Sequence, residues 1–390
     1  MKDLPYNRPH MVGRELGYIR EAVARGHLSG NGPFAARCSS WLERRLAAPR
    51  ALLTHSCSGA LEMAAILAEI EPGDEVIMPS FTFVTTANAF VLRGAVPVFV
   101  DIRPDTLNID ERLVEDAITP RTRAIIPVHY AGVACEMDAI VAISERHGLM
   151  VIEDAAHGML STYHGRPLGS IGQMATFSFH ETKNVICGEG GALILGNQAL
   201  VKRAEIVHEK GTNRREFFRG QTDKYTWVDI GSSYLPSEIA AAFLFAQLEE
   251  ADAITARRVE LWSQYYEAFA DLEASGQVRR PFLPDGCEHN AHLFYLLVHG
   301  TGTRDDLIAA LAERGISAVF HYVPLHDSPA GRRYGRAHGD LRVTERESKA
   351  LIRLPLWMGM EDSDIERVVS AVHAILAQRS ARVHVATNQG

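Results

Sequence analysis

Short apolar runs recur along the first half of this chain, each followed by a stretch of helical period, and this alternation most restricts its fold. Glu75-Val-Ile-Met78, Val96-Pro-Val-Phe-Val100, Arg123-Ala-Ile-Ile-Pro-Val128, Met150-Val-Ile-Glu153 and Met174-Ala-Thr-Phe-Ser-Phe179 read as buried strands. Ala60 to Ile70, Ala87 to Arg93 and Ala139 to Arg146 read as helices among them. Strands that are apolar throughout need cover on both faces. The pattern therefore predicts an α/β fold of βα units around a mainly parallel sheet. Ligands of such sheets bind beyond the carboxyl ends of the strands, where Phe83, Asp154 and Lys183 fall.

The second half changes character. Ser237 to Gln247 and Ala253 to Phe269 read as helices, the latter long enough to link two domains. Leu293 to Val298 reads as a strand, Thr303 to Arg314 as a helix capped by Thr303 and Asp306, Ile316 to Tyr322 as a further strand, and Asp362 to Ala377 as a closing helix. This divides the chain into a large domain over 1–250, a small α/β domain over 251–378 and a flexible tail over 379–390.

At 390 residues and 46% hydrophobic content the chain can bury one large and one smaller core. A net charge of −8 argues against bulk nucleic-acid binding but leaves room for a local basic pocket. Cys38, Cys57, Cys135, Cys187 and Cys287 lie far apart, without the spacing of a metal site or a disulfide framework. The first residues lack a signal peptide's pattern, and no apolar run approaches the roughly 20 residues that span a bilayer. A cytoplasmic protein without metal or membrane partner is expected.

A lone lysine beside a loop is usually a solvated charge, and an acid ending a strand is often a helix cap. Here they occur together. Lys183 follows a strand, five residues after Ser178 and just before a Gly-Glu-Gly-Gly turn, while Asp154 ends the strand before it. Ser56-Cys57-Ser58-Gly59 looks like a turn opening a helix, whose free N–H groups can cradle a phosphate. Phe83, with Phe81 as second choice, can stack on a flat ring. Lysine to form a Schiff base and aspartate to hold a pyridinium nitrogen are what pyridoxal 5'-phosphate requires, the cofactor passing through its pyridoxamine form in turnover.

These motifs resemble the DegT/DnrJ/EryC1/StrS sugar aminotransferases over about Leu4 to Leu376. Within that family the resemblance is to the transaminases that make dTDP-4-amino-4,6-dideoxygalactose. Residues 127–138, 209–213, 224–235, 318–326 and 329–331 carry this part of the likeness. The resemblance implies a fold-type I transferase with a seven-stranded, mainly parallel sheet between helices. It makes Lys183 and Asp154 catalytic, with Cys57, Ser58 and Ser178 on the phosphate. His157 stands where the family has Gln or His by the ring hydroxyl. Ser233 replaces an asparagine that in many relatives reaches the partner's phosphate, and so implies a homodimer with shared sites.

As acceptor the resemblance implies dTDP-4-keto-6-deoxyglucose, aminated at C4, and as donor L-glutamate. A nucleotide diphosphate calls for cations, and Lys210, Arg214, Arg215 and Arg219 cluster in one segment. The same four residues also read as a solvated loop. His321 and His326 are candidates for the sugar side or for packing, with Tyr130 and Tyr234 behind them. A C3 aminotransferase, or one acting on a UDP- or GDP-linked sugar, shares every cofactor residue named. A dehydratase on this scaffold would carry histidine in place of Lys183, and an idle relative would lack Lys183 or Asp154. A nicotinamide enzyme is disfavoured because no G-x-G-x-x-G follows an early strand.

Overall fold

The apolar runs form the middle of one large sheet. The computed structural model describes residues 3–299 and 303–387. Its first strands are β1 (Arg50–Thr54), β2 (Glu75–Pro79), β3 (Val96–Val100), β4 (Thr122–Ile125) and β5 (Met150–Asp154). There follow β6 (Thr162–Tyr163), β7 (Arg166–Pro167), β8 (Met174–Ser178), β9 (Gly191–Leu195), β10 (Val278–Arg279), β11 (Cys287–Glu288), β12 (Phe294–Val298), β13 (Arg336–Ala337) and β14 (Leu351–Leu354).

The large sheet has the order β1-β9-β8-β5-β4-β2-β3-β13. From β8 to β13 neighbours are parallel, and β9 alone runs against both its neighbours. The seven expected strands thus gain an eighth, a two-residue strand from the C-terminal third. Arg336, which begins it, bonds the fully buried Glu75 of β2 at 2.9 Å.

Both faces are covered, as near-continuous apolar strands demand. On one face Met174, Leu193 and Leu195 pack on helix Cys57–Leu67. On the other, Ala175, Phe177 and Ile194 meet helices Glu15–Ala24, Pro33–Leu46 and Glu238–Glu249. A second core gathers Trp262, Tyr265 and Phe269 of helix Ala251–Ala268 and its end against Phe294, Leu296 and Ile352 of the β10-β12-β14 sheet.

Two sequence expectations need correction. Ile316 to Tyr322 does not form a strand but makes isolated bridges, Ile316 to Leu4 and Val319 to Arg353. The last helix does not stop near Ala377. It runs Asp362–Thr387, through most of the segment read as a flexible tail, because nothing from 379 to 387 breaks a helix: there is no Gly or Pro. Residues 388–390 of that tail lie outside the described residues. The capping box of Thr303 and Asp306 forms as expected.

Candidate active site

A cavity of about 760 Å³ opens beyond the carboxyl ends of β2, β5 and β8, with Asp154, Ser178 and Lys183 among its walls. One end of it is built by two elements. Ser56 caps helix Cys57–Leu67, its hydroxyl accepting from the Gly59 N–H at 3.1 Å, which leaves the helix's first amides facing the cavity. Gly191, opposite both Thr54 and Ser178, brings β9 beneath this turn. A Cβ on Gly191 would lie 2.4 Å from the Cys57 nitrogen, so only glycine allows the approach.

Asp154 is buried at the end of β5. Its Oδ2 accepts from the Thr86 hydroxyl at 2.7 Å and its Oδ1 from the Ala156 N–H at 3.1 Å. Burial raises its pKa, against the pull of Thr86, Ala156 and Lys183. Lys183 stands on the loop between β8 and β9. Burial lowers its pKa to about 8, against the influence of Cys57 and Asp154. Its amine is therefore neutral for part of the time near neutral pH. Phe83, 55% exposed at the start of helix Val84–Val91, lines the cavity, whereas Phe81 is buried against Tyr130.

One wall is a stack of histidines. His157 lies on His292 with ring centroids 4.1 Å apart, and His321 on Tyr322 at 3.6 Å. Burial holds all three imidazoles well below their ordinary pKa, hence neutral. The Ala131 N–H donates to His157 Nδ1 at 3.4 Å, which leaves Nε2–H to face the Tyr322 hydroxyl at 3.3 Å. Tyr130 bonds His321 Nδ1 at 2.7 Å behind this wall. Arg353 enters the cavity from β14, its guanidinium on the Phe320 carbonyl at 2.9 Å and 4.8 Å from the Tyr6 ring centroid.

Of the residues singled out in the sequence, Ser56, Cys57, Ser58, Phe83, Asp154, His157, Ser178, Lys183 and His321 line this cavity. The others do not. Arg215 and Arg219 pair with Glu205, and Arg214 lies over the Phe218 and Tyr225 rings. Lys210 sits in a left-handed turn pinned by its N–H to the Ser232 carbonyl. His326 is spent on Ser80, at 2.7 Å, and Glu345. Tyr234 is buried beside helix Cys57–Leu67, and Ser233 is exposed and does not line its own chain's cavity. Sequence reasoning missed Thr86, His292, Arg353 and Tyr6. Tyr322 stood inside a string already noted, but nothing local set it apart.

A lysine with a depressed pKa, a buried carboxylate and a helix-opening turn of free amides in one cavity fit pyridoxal phosphate. Comparison with known proteins agrees. The model of the DegT/DnrJ/EryC1/StrS aminotransferase family matches residues 9–373. The spore coat polysaccharide biosynthesis protein SpsC of Bacillus subtilis (strain 168) is 35% identical over 381 residues, 96% of this chain and 97% of that protein. The PLP form of the putative sugar aminotransferase Spr1654 from Streptococcus pneumoniae superposes with a TM-score of 0.88 at 26% identity, covering 96% of this chain and 99% of that one. DesI, solved in the presence of its TDP-sugar product, gives 0.87 at 29% identity over 100% of this chain and 96% of its own.

The protein is a pyridoxal-phosphate-dependent sugar aminotransferase. It belongs to the DegT/DnrJ/EryC1/StrS aminotransferase family.

Proposed function

We propose that the enzyme moves an amino group from L-glutamate to C4 of dTDP-4-keto-6-deoxyglucose. The product is a dTDP-4-amino-4,6-dideoxyhexose, the galactose isomer, used in surface polysaccharide synthesis in the cytoplasm. The observation that carries the reaction is Lys183, Asp154 and the Ser56–Ser58 turn around one cavity. The nucleotide is supported by the TDP-sugar product of DesI, and the destination by the role of SpsC in a coat polysaccharide. In this reading residues 1–250 hold the cofactor and 251–378 close over the substrate. Tyr322 and Arg353 of the latter part line the cavity.

Bound pyridoxal phosphate supplies an aldehyde that carries the amino group and a ring that takes up the electron pair left by the departing proton. The chain does the rest. Amides of Cys57 and Ser58, with the Ser58 and Ser178 hydroxyls, hold the phosphate, and Phe83 covers one ring face. Asp154 keeps the ring nitrogen protonated, and His157 stands by the ring hydroxyl. Lys183 would hold the cofactor through Nζ and, once freed, would carry the donor's α-proton on that atom as base and then acid. A depressed pKa suits it to both acts. Arg353 offers a cation to the anionic end of a substrate. A C3 aminotransferase, or one for a UDP- or GDP-sugar, would use the same cofactor residues.

The test is a half-reaction read by absorbance. Glutamate should bleach the visible band of the loaded enzyme. After donor removal, dTDP-4-keto-6-deoxyglucose should restore the band and yield an amino sugar of the right mass. Restoration only by a 3-keto isomer or a UDP-sugar keeps the reaction and discards this acceptor. No bleaching discards glutamate.

A further inference from the structure

We propose that Thr82 and Thr86 form a buried two-hydroxyl brace that fixes the Asp154 carboxylate and keeps it ionised against the cofactor's ring nitrogen. They are then positioning residues of the amino transfer. The inference rests on the reading that Asp154 faces that nitrogen.

The geometry comes from one short segment. Thr82 and Thr86 flank Phe83 at the start of helix Val84–Val91, and the two residues are 1% and 0% exposed. Thr86 Oγ1 lies 2.7 Å from Asp154 Oδ2, and Thr82 Oγ1 lies 2.8 Å from Thr86 Oγ1. An ionised carboxylate only accepts, so the single Thr86 proton points at Asp154. Thr86 must then accept, and the Thr82 proton points at Thr86. The two O–H dipoles are aligned head to tail toward the carboxylate, as in a chain whose bonds polarise one another. The Ala156 N–H at 3.1 Å occupies the other oxygen, which fixes the carboxylate's plane.

The brace answers a definite problem. Around Asp154 stand Lys183, Cys57, His129 and Tyr322, and burial raises its pKa despite the lysine. Thr86 is the foremost group acting against that burial. Without its hydroxyl, Asp154 becomes the stronger base. It then takes the shared proton: the ring N–H bond breaks, an O–H bond forms on Asp154, and the ring loses its positive charge. The ring is then the weaker electron sink. Segment 82–86 thus serves the cofactor twice, with Phe83 at its face and the two threonines behind its counter-ion.

The experiment loads the full-length enzyme with pyridoxal phosphate labelled with nitrogen-15 in the ring and reads the ring-nitrogen chemical shift. In the wild type and in Thr86→Ser it should report a protonated nitrogen. In Thr86→Val, which keeps the shape and removes the hydroxyl, it should move toward the unprotonated value. The glutamate half-reaction should slow about tenfold to a hundredfold, the range for losing a hydrogen bond to a charged group. Thr82→Val should move the signal the same way by a smaller amount, and it decides the matter if Thr86→Val does not fold. An unmoved signal in the valine variant, with Asp154→Asn moving it, overturns the brace and leaves the role of Asp154 standing. An unmoved signal in Asp154→Asn as well removes both.

Discussion

Glu153 and Asp154 are neighbours in sequence with opposite fates, because successive residues of a strand face opposite sides of the sheet. Glu153 is fully buried and accepts from His129 Nε2 at 2.9 Å and from the N–H groups of Gly169, Ile171 and Gly172. Burial alone would raise its pKa, but these donors outweigh it and hold the carboxyl below its ordinary value. Asp154 has fewer donors, and its pKa is raised instead. A fully bonded structural acid and an acid that lines the cavity thus lie side by side. At Lys183 burial works in the opposite sense, since it disfavours the ammonium, so the neutral amine gains as pH rises through about 8. Only the neutral amine attacks an aldehyde. Uptake of pyridoxal phosphate by the cofactor-free protein should therefore accelerate with a single midpoint near pH 8 in stopped-flow absorbance. A midpoint near the ordinary lysine value of 10.5 would contradict the placement of this side chain. Lys183 and Asp154 could be read from sequence because the one follows and the other ends an apolar run. Thr86, His292 and Arg353 could not, since what selects them is a partner 68, 108 and 33 residues distant respectively.

At the scale of elements, the strand-to-helix turn after β1 and the strand β9 build one end of the cavity together. Gly191 is the point of contact, with the Ser56 carbonyl and the Cys57 nitrogen both inside 3 Å of where its Cβ would be. These are backbone atoms and cannot swing aside. Gly191→Ala should therefore cost about 1–3 kcal/mol of stability as an overpacked site, with weakened pyridoxal-phosphate binding because the amides of the cradle shift. Thermal unfolding and a fluorescence titration of the cofactor would show both. Unchanged cofactor affinity would mean that the turn is not the phosphate site. The central strands were legible because they are long and apolar on both faces. β13 is two residues long and pairs only because its neighbour β3 offers a free edge, and no pattern that short announces itself. The reading of 316–322 as a strand failed for the complementary reason: apolar residues were present, but only single bridges formed.

At the scale of the whole molecule, the segment from Phe218 to Ile230 leaves large apolar side chains in water, with Trp227 77% exposed and Phe218, Val228 and Ile230 also exposed. An apolar run of this kind on a monomer's surface marks an interaction face. Ser233, a few residues on, is exposed and does not line its own chain's cavity, which suits a site completed by a second copy. We therefore propose a homodimer held through this segment. Trp227→Glu should shift the mass in light scattering from dimer to monomer and weaken cofactor binding in step; a wild type already monomeric at micromolar concentration would defeat the proposal. The sequence by itself determined the alternation of strand and helix, and with it the sheet, the end of the sheet where ligands bind, and the lysine, aspartate and small-residue turn placed there. These follow from local periodicity and from residue chemistry at fixed points along the chain. Only the tertiary structure decided that Arg215 and Arg219 pair with Glu205 and that Arg214 lies over aromatic rings. It alone decided that three neutral histidines and Tyr322 wall the cavity, and that two threonines stand behind Asp154. Burial and hydrogen-bond partners are set by segments far apart in the chain, and no local pattern encodes which of them will meet.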